Sequence, residues 1–399
     1  MMFYLTPVAE YDSFVKGLLD IYSSLPDSHS DKITLALNRH DFMYEVGDIQ
    51  PGKSPTFKLV EFNLVAASLG GLSEGVCDYH STLLNQYNMD ISRYHHKVNI
   101  IQGYSDGLRL GYELYREKYS CSGNCVVVMI NQTDDTDHQF NYFDQQLILN
   151  ALERAAVPTK RYSARYLAAH GTTKNGRYMV EGKEVAMVYF RTLYDPRHFK
   201  SDDIWRLRRD LELSAAITVP CVRHQLVNTK LFQMVLTQRS VLDRYTPSSA
   251  VTDKILELFC ETLHLNPDVE GDKNAQLGID HPDGYVMKPQ REGGGHNIWE
   301  EEMREKLLSL SGDPARAQYI LMKRITAPRR KNKIVRRGVM SERFNTVSEF
   351  GCFSVYCTDG AGIVKQNKTV GPLIRTKVAG ENEGGVGVGI AAIDSPYFV

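Results

Sequence analysis

Apolar and polar positions along this chain follow two different rhythms. Ile33-Thr34-Leu35-Ala36-Leu37 is a short apolar run, and Phe57-Lys58-Leu59-Val60-Glu61-Phe62-Asn63 alternates with a period of two; both predict strands. Helical patterning covers 1–25, 74–88 and 105–118. Strand and helix then take turns: strand 125–130, helix 143–156, strand 185–190, helix 202–214, strand 216–219. That alternation predicts a parallel sheet covered by helices, in a domain of its own over 126–228. Further on the pattern predicts a helix over 250–264 and a polar loop carrying Asp268, Glu270, Asp272, Lys273 and Asp280. It then predicts strand 284–288, a glycine-rich loop 293–295, helix 299–309 and strand 318–323. A basic loop 326–337, strands 344–350, 352–357 and 362–367, and a second glycine-rich stretch 384–389 complete it. Strand-rich pieces with few crossover helices argue for a mixed or antiparallel sheet, so the predicted class is α/β with an α+β part.

At 399 residues the chain exceeds the ~250–300 at which single cores stop growing. The expected division is 1–125, 126–228 and 229–399. Lys+Arg 47 against Asp+Glu 48 leaves a net charge of -1, which argues against a dedicated nucleic-acid binder. The basic cluster Arg329, Arg330, Lys331, Lys333, Arg336 and Arg337 lacks interleaved aromatics and reads as a solvated loop. No run approaches the ~18 apolar residues of a membrane span, and Met1-Met2-Phe3-Tyr4-Leu5 has no basic flank of a signal peptide. The 7 cysteines are few and odd in number, which predicts reduced thiols and a cytoplasmic protein. Cys121 with Cys125 and Cys352 with Cys357 lack neighbours that would complete a zinc site.

Three constellations could carry chemistry. Glu61 and Asn63 share a strand face, offering a carboxylate and an amide oxygen, half of a magnesium site; the same pair would also suit a plain solvent-facing strand. Lys288 ends an apolar strand, Glu292 follows, and Gly293-Gly294-Gly295 would let backbone N–H groups approach phosphate oxygens. The order matches neither the Walker nor the dinucleotide fingerprint. Arg375-Thr376-Lys377 precedes Glu383-Gly384-Gly385-Val386-Gly387, again cations before a glycine-rich loop. Arg39, and Arg191 with Tyr194, are expected at carboxyl ends of strands, where α/β sheets bind ligands. Together these cations suggest a ligand with more than one carboxylate. His40, His95 and His96 read as ordinary surface or core histidines.

The run Lys288 to Asn297, the segment Glu61-x-Asn63 leading to Ser68-Leu69-Gly70-Gly71, and the end Leu373-Ile374-Arg375-Thr376-Lys377 with Gly384-Gly385-Val386 resemble eukaryotic-type glutathione synthetases from about residue 30 to Val399. The resemblance implies an ATP-grasp architecture with an inserted parallel-sheet substrate-binding domain. It implies ATP-dependent ligation of γ-glutamylcysteine with glycine (EC 6.3.2.3) through an acyl phosphate, with Mg²⁺ and a homodimeric state. Glu61, Asn63 and Glu292 fall on magnesium positions. Glu61, Lys230, Lys288, Glu292, Gly293, Gly294, Gly295, Asn297, Trp299, Met322, Lys323, Arg324, Ile325, Glu349, Lys377 and Glu383 fall on ATP positions. Arg39, Val65, Ala66, Ala67, Ser68, Asn141, Gln145, Arg191, Thr192, Leu193, Tyr194, Arg375, Val386 and Gly387 fall on positions for the dipeptide or glycine. Arg375, Lys288, Lys230 and Arg39 are the expected catalytic cations.

The chain also departs from the family pattern. Trp299 stands for a tyrosine, Ala66 for a serine, Lys323 for an acidic residue and Glu383 for an aspartate. Gly387-Val388 replaces small alanines. The chain enters the family's N-terminal helical segment part-way, which suggests a short gene model or a compact variant. Two other readings stay open: a homoglutathione-type enzyme taking β-alanine or another small amino acid, and a catalytically silent nucleotide- or peptide-binding homologue.

Overall fold

The computed structural model describes residues 2–47, 55–92, 94, 98–121, 123–131, 141–292, 294–387 and 389–396. Its elements form a mixed α/β structure built on three main sheets. The first is antiparallel and draws strands from both ends of the chain. Its order is Ala392–Asp394, Val364–Val378, Phe344–Thr358, Thr34–Glu45, Thr56–Asn63, with Arg330–Asn332 also pairing to Phe344–Thr358. The second pairs Thr159–Ser163, Cys125–Asn131, Lys183–Phe190 and Ile217–Val219 in parallel, and Arg177–Val180 continues it antiparallel. The third is antiparallel, in the order Ile298–Trp299, Tyr285–Pro289, Tyr319–Lys323, Thr262–His264.

The parallel sheet is covered on both faces, so its strands can be apolar throughout. All seven residues of Cys125–Asn131 are buried, and they alternate between two cores. Cys125, Val127 and Met129 join Leu35, Leu37, Tyr104 and Leu108, whereas Val126, Val128 and Ile130 join Leu207 and Leu211 of the Asp202–Leu213 helix. The first of these cores therefore crosses from the parallel sheet to the antiparallel one. The Ile100–Tyr119 helix lies between them and approaches closely through small residues: a Cβ on Gly107 would stand 2.5 Å from Val355, and one on Gly111 2.6 Å from Met187.

At the N-terminus, Asp12 caps the Ser13–Ser23 helix by accepting from the N–H groups of Phe14 and Val15. The same carboxylate accepts from Arg291, which ties this helix to the loop after Tyr285–Pro289. Among the described residues no helix is long and apolar enough to cross a membrane.

Several predicted elements differ. The helix expected over 250–264 stops at Leu256, and Thr262–His264 is instead a strand hydrogen-bonded to Tyr319–Lys323. The polar loop after Asp268 is the helix Val269–Asp280, capped by that aspartate. Phe344–Thr358 runs unbroken through Gly351, where two strands were expected. Part of the basic loop is strand, at Arg330–Asn332 and Val335–Arg336. Arg39 lies inside the Thr34–Glu45 strand rather than at its carboxyl end. His95 and His96 lie outside the described residues.

Candidate active site

The site is displayed on one face of the antiparallel sheet. In register across it, Asn63 faces Arg39, Glu61 faces Asp41, and Glu349 faces Arg375. Period-2 geometry brings these side chains to the same side. Asp41 is fully buried and receives four hydrogen bonds there. Arg39 donates from Nε at 2.7 Å and Nη2 at 2.8 Å, Asn63 from Nδ2 at 2.8 Å, and Arg375 from Nη2 at 3.1 Å. Arg375 also donates to Glu349. Gly351 makes room for this cluster, since a Cβ there would sit 3.0 Å from Asp41 Oδ1 and 3.1 Å from Arg39 Cδ.

Beside the cluster stands Lys230, the first residue of the Lys230–Val235 helix. Gln290 fixes the start of that helix by accepting from the Leu231 N–H at 2.9 Å. Lys230 Nζ donates to Glu61 Oε2 at 3.0 Å and to Glu292 Oε1 at 2.9 Å. The two carboxylates thus converge on one cation although the first sits on a strand and the second after another sheet. Burial disfavours the charge on Glu61, but Lys230, Lys288 and Arg375 outweigh it and hold its carboxyl far below the usual range. For Glu292 burial wins over Lys230, and its carboxyl is pushed up to about 7. Lys288 donates to the Val60 carbonyl at 3.0 Å, and burial pushes its ammonium down. Burial also pushes Glu349 up against the pull of Arg375.

A basin of about 800 Å³ opens over these groups. Glu61, Asn63, Lys230, Lys288, Glu292, Glu349 and Arg375 line it. So do Arg39, Val65, Ala66, Ala67, Ser68, Asn141 and Tyr194. The loop 65–68 is tied to Arg191, which donates to the Ala67 carbonyl at 2.7 Å, Ser68 Oγ at 2.7 Å and Asp144 Oδ2 at 3.2 Å. Arg191, Thr192, Leu193 and Gln145 are buried behind the wall rather than lining it. Gln145 Oε1 and Arg191 Nε have no hydrogen-bond partner among the described residues. Ala66 and Leu193 hold positive φ of 52° and 64°, a conformation that costs a residue with a Cβ some backbone strain.

Trp299, Met322, Lys323, Arg324, Ile325, Lys377 and Glu383 also line the basin. Glu383 joins its two glycine-rich loops, accepting from the Gly295 N–H at 3.1 Å and from Trp299 Nε1 at 3.4 Å. Arg324 stands 5.4 Å from the Trp299 ring centroid, and Lys377 donates to the Asn382 carbonyl at 2.9 Å. Gly294, Asn297, Val386 and Gly387 belong to the lining; Gly293 lies outside the described residues.

Most of the residues named from sequence therefore meet in one place. Asp41 and Asp144 were missed. The signal for Asp41 was its i, i+2 spacing from Arg39 on a strand. Asp144 carried none, because its partners Arg191 and the Gly71 N–H come from distant segments.

Among the described residues no three His, Cys, Asp or Glu side chains are clustered to hold a metal. The carboxylates of Glu61 and Glu292, with the Asn63 amide beside Glu61, offer oxygen atoms of the kind that suit a hard divalent cation keeping water and phosphate as its other ligands. The seat between Glu61 and Glu292 already takes a positive group, the Lys230 ammonium, so its charge suits a cation.

A family profile described as eukaryotic glutathione synthase, ATP binding domain, matches residues 2–398. The chain is similar to glutathione synthetases of Bos taurus and Homo sapiens, each 33% identical over 99% of this chain and 81% of the relative. It is 32% identical to the chloroplastic glutathione synthetase of Solanum lycopersicum over 97% of this chain and 69% of that one. A solved apo structure of a glutathione synthetase-like effector from Globodera pallida shares the fold, with TM-score 0.74 at 16% identity, covering 100% of this chain and 84% of that one.

Proposed function

The chain belongs to the eukaryotic glutathione synthase family, an ATP-dependent ligase by that membership, and from this premise we propose how its basin joins γ-glutamylcysteine to glycine. A carboxylate is a poor acyl electrophile. Transfer of the γ-phosphoryl group of ATP to the cysteinyl carboxylate forms a P–O bond, breaks the bond to ADP, and gives an acyl phosphate. The glycine amine then attacks the acyl carbon and phosphate leaves.

Such a transfer asks mainly for alignment and charge neutralisation. Glu61, Asn63 and Glu292 are the residues that would hold Mg²⁺, which when bound supplies charge neutralisation at the phosphates. Lys230, Lys288 and Arg375 offset developing negative charge. Arg39 and the loop 65–68, held by Arg191, place the dipeptide. Trp299, Met322 and Ile325 hold adenine, and Arg324 packs on the indole. The glycine-rich loops, joined through Glu383, cover the site and keep water from the acyl phosphate. A homodimer in the cytoplasm belongs to the same proposal; the reduced state of the seven thiols agrees with the compartment.

The observation that carries the reading is the Lys230 ammonium shared by Glu61 and Glu292 inside a basin walled by the other predicted groups. The test is phosphate release that requires both γ-glutamylcysteine and glycine. No release above background from folded protein overturns it. Competition between glycine and β-alanine in the same assay identifies the acceptor.

A further inference from the structure

Asn63 can serve as a metal ligand only through its amide oxygen, and an amide can turn either end outward. Its orientation is set from the side. A carboxylate between two guanidinium groups accepts and does not donate, so the end of Asn63 facing Asp41 must be nitrogen. Asn63 Nδ2 lies 2.8 Å from Asp41 Oδ2. The same nitrogen lies 3.5 Å from Glu61 Oε1, so both of its hydrogens face carboxylates and the oxygen is the end they leave over. The same Asp41 takes both ends of the Arg39 fork and one nitrogen of Arg375. It is fully buried and lines no part of the basin, so it touches no substrate.

We propose that Asp41 is a positioning residue that fixes the amide of Asn63 oxygen-outward and holds the Arg39 and Arg375 guanidinium groups in one frame, coupling the metal seat to the dipeptide grip. This rests on the reading of Glu61, Asn63 and Glu292 as the magnesium set. A carboxylate that orients a ligand from behind typically changes metal affinity by ~10–100-fold when removed.

The experiment measures Mn²⁺ binding by electron paramagnetic resonance with a non-hydrolysable ATP analogue, in wild type, Asp41→Asn, Asn63→Ala and the double variant, with thermal melting of each. Asp41→Asn is expected to weaken Mn²⁺ binding by ~10-fold or more and to raise KM for the dipeptide. The double variant is expected to bind Mn²⁺ no more weakly than Asn63→Ala alone, because Asp41 acts through that amide. Additive losses, or unchanged Mn²⁺ affinity in folded Asp41→Asn, overturn the proposal. Should Asp41→Asn fail to fold, Gly351→Ala keeps the charge and pushes on Asp41 Oδ1; unaltered Mn²⁺ affinity in that folded variant overturns it equally. If wild type itself binds no Mn²⁺ with nucleotide, the metal reading falls and takes this inference with it.

Discussion

Lys230 and Glu292 form a buried ion pair at 2.9 Å in which the ammonium is also shared with Glu61. The shared ammonium offsets the repulsion between the two neighbouring carboxylates. It also makes Glu292 separable by mutation: glutamine keeps the shape and one acceptor oxygen but loses the charge. Glu292→Gln is expected to reduce substrate-dependent phosphate release by about 10²–10³, with a far-UV circular dichroism spectrum like that of wild type. Retained activity would show that Glu292 is not in the metal set.

The raised carboxyl of Glu292 has a consequence for stability. Its unfolded value is 4.5 and its folded value about 7, so between these the native state holds a proton that the unfolded state has released. Stability from this group is full below pH 4.5 and is lost as pH rises through about 7, by on the order of 3 kcal/mol. Glu61 is shifted the other way, so its own contribution is lost only on acidification below its ordinary range. Thermal melting in chelator is expected to show wild type losing stability relative to Glu292→Gln from pH 4.5 to 7, and a constant difference above that. A difference that is flat throughout contradicts the assignment.

Arg191 spends a planar fork on the Ala67 carbonyl, Ser68 Oγ and Asp144. A lysine keeps the charge but cannot span those acceptors. Arg191→Lys is expected to raise KM for γ-glutamylcysteine about 10-fold or more while KM for ATP stays within a factor of about two, because ~1.4 kcal/mol of lost positioning is already tenfold. Steady-state kinetics with each substrate varied in turn checks this; equal effects on both would mean a general loss of structure.

Of the 2 tryptophans, Trp299 lines the basin and Trp205 packs on Phe199 at 4.0 Å away from it. ATP is expected to change the emission of wild type, and Trp299→Ala should abolish that change. Loss of stacking worth ~1–3 kcal/mol raises KM for ATP by about 10-fold. An ATP-dependent signal that survives in Trp299→Ala would place the adenine elsewhere.

Much of this was readable before any coordinates, and the failures have physical causes. Strand 125–131 was legible because seven buried positions leave an apolar run. Helix Val269–Asp280 was not, because its buried face consists of Gly271, Asn274, Ala275 and Gly278. Small residues there allow close approach, with Leu307 at 2.8 Å from a Cβ on Gly278, and give no apolar stripe. Gly351 looked like a break between two strands, whereas it is the clearance for Asp41 and Arg39. Glu61, Asn63 and Glu292 can be singled out from sequence because a hard cation restricts residue types, and the fold brings Glu61 and Glu292 onto one ammonium. Asp41 is hard to read from sequence because, apart from Arg39 on its own strand, its neighbours come from three other segments: Asn63, Gly351 and Arg375.

The antiparallel ladder that sets Asn63 against Arg39 and Glu349 against Arg375 has a practical corollary. Strands hold their spacing of ~4.8 Å by backbone hydrogen bonding, so this ladder is framed by the main chain, whereas residues 384–387 belong to a loop pinned at Glu383 and by the N–H groups of Gly389, Ile390 and Ala391 on the Val386 and Gly385 carbonyls. An engineer wishing to install a bulkier amine could therefore redraw residues 385–387, keep Glu383 as the tie between the loops, and leave the strand ladder untouched.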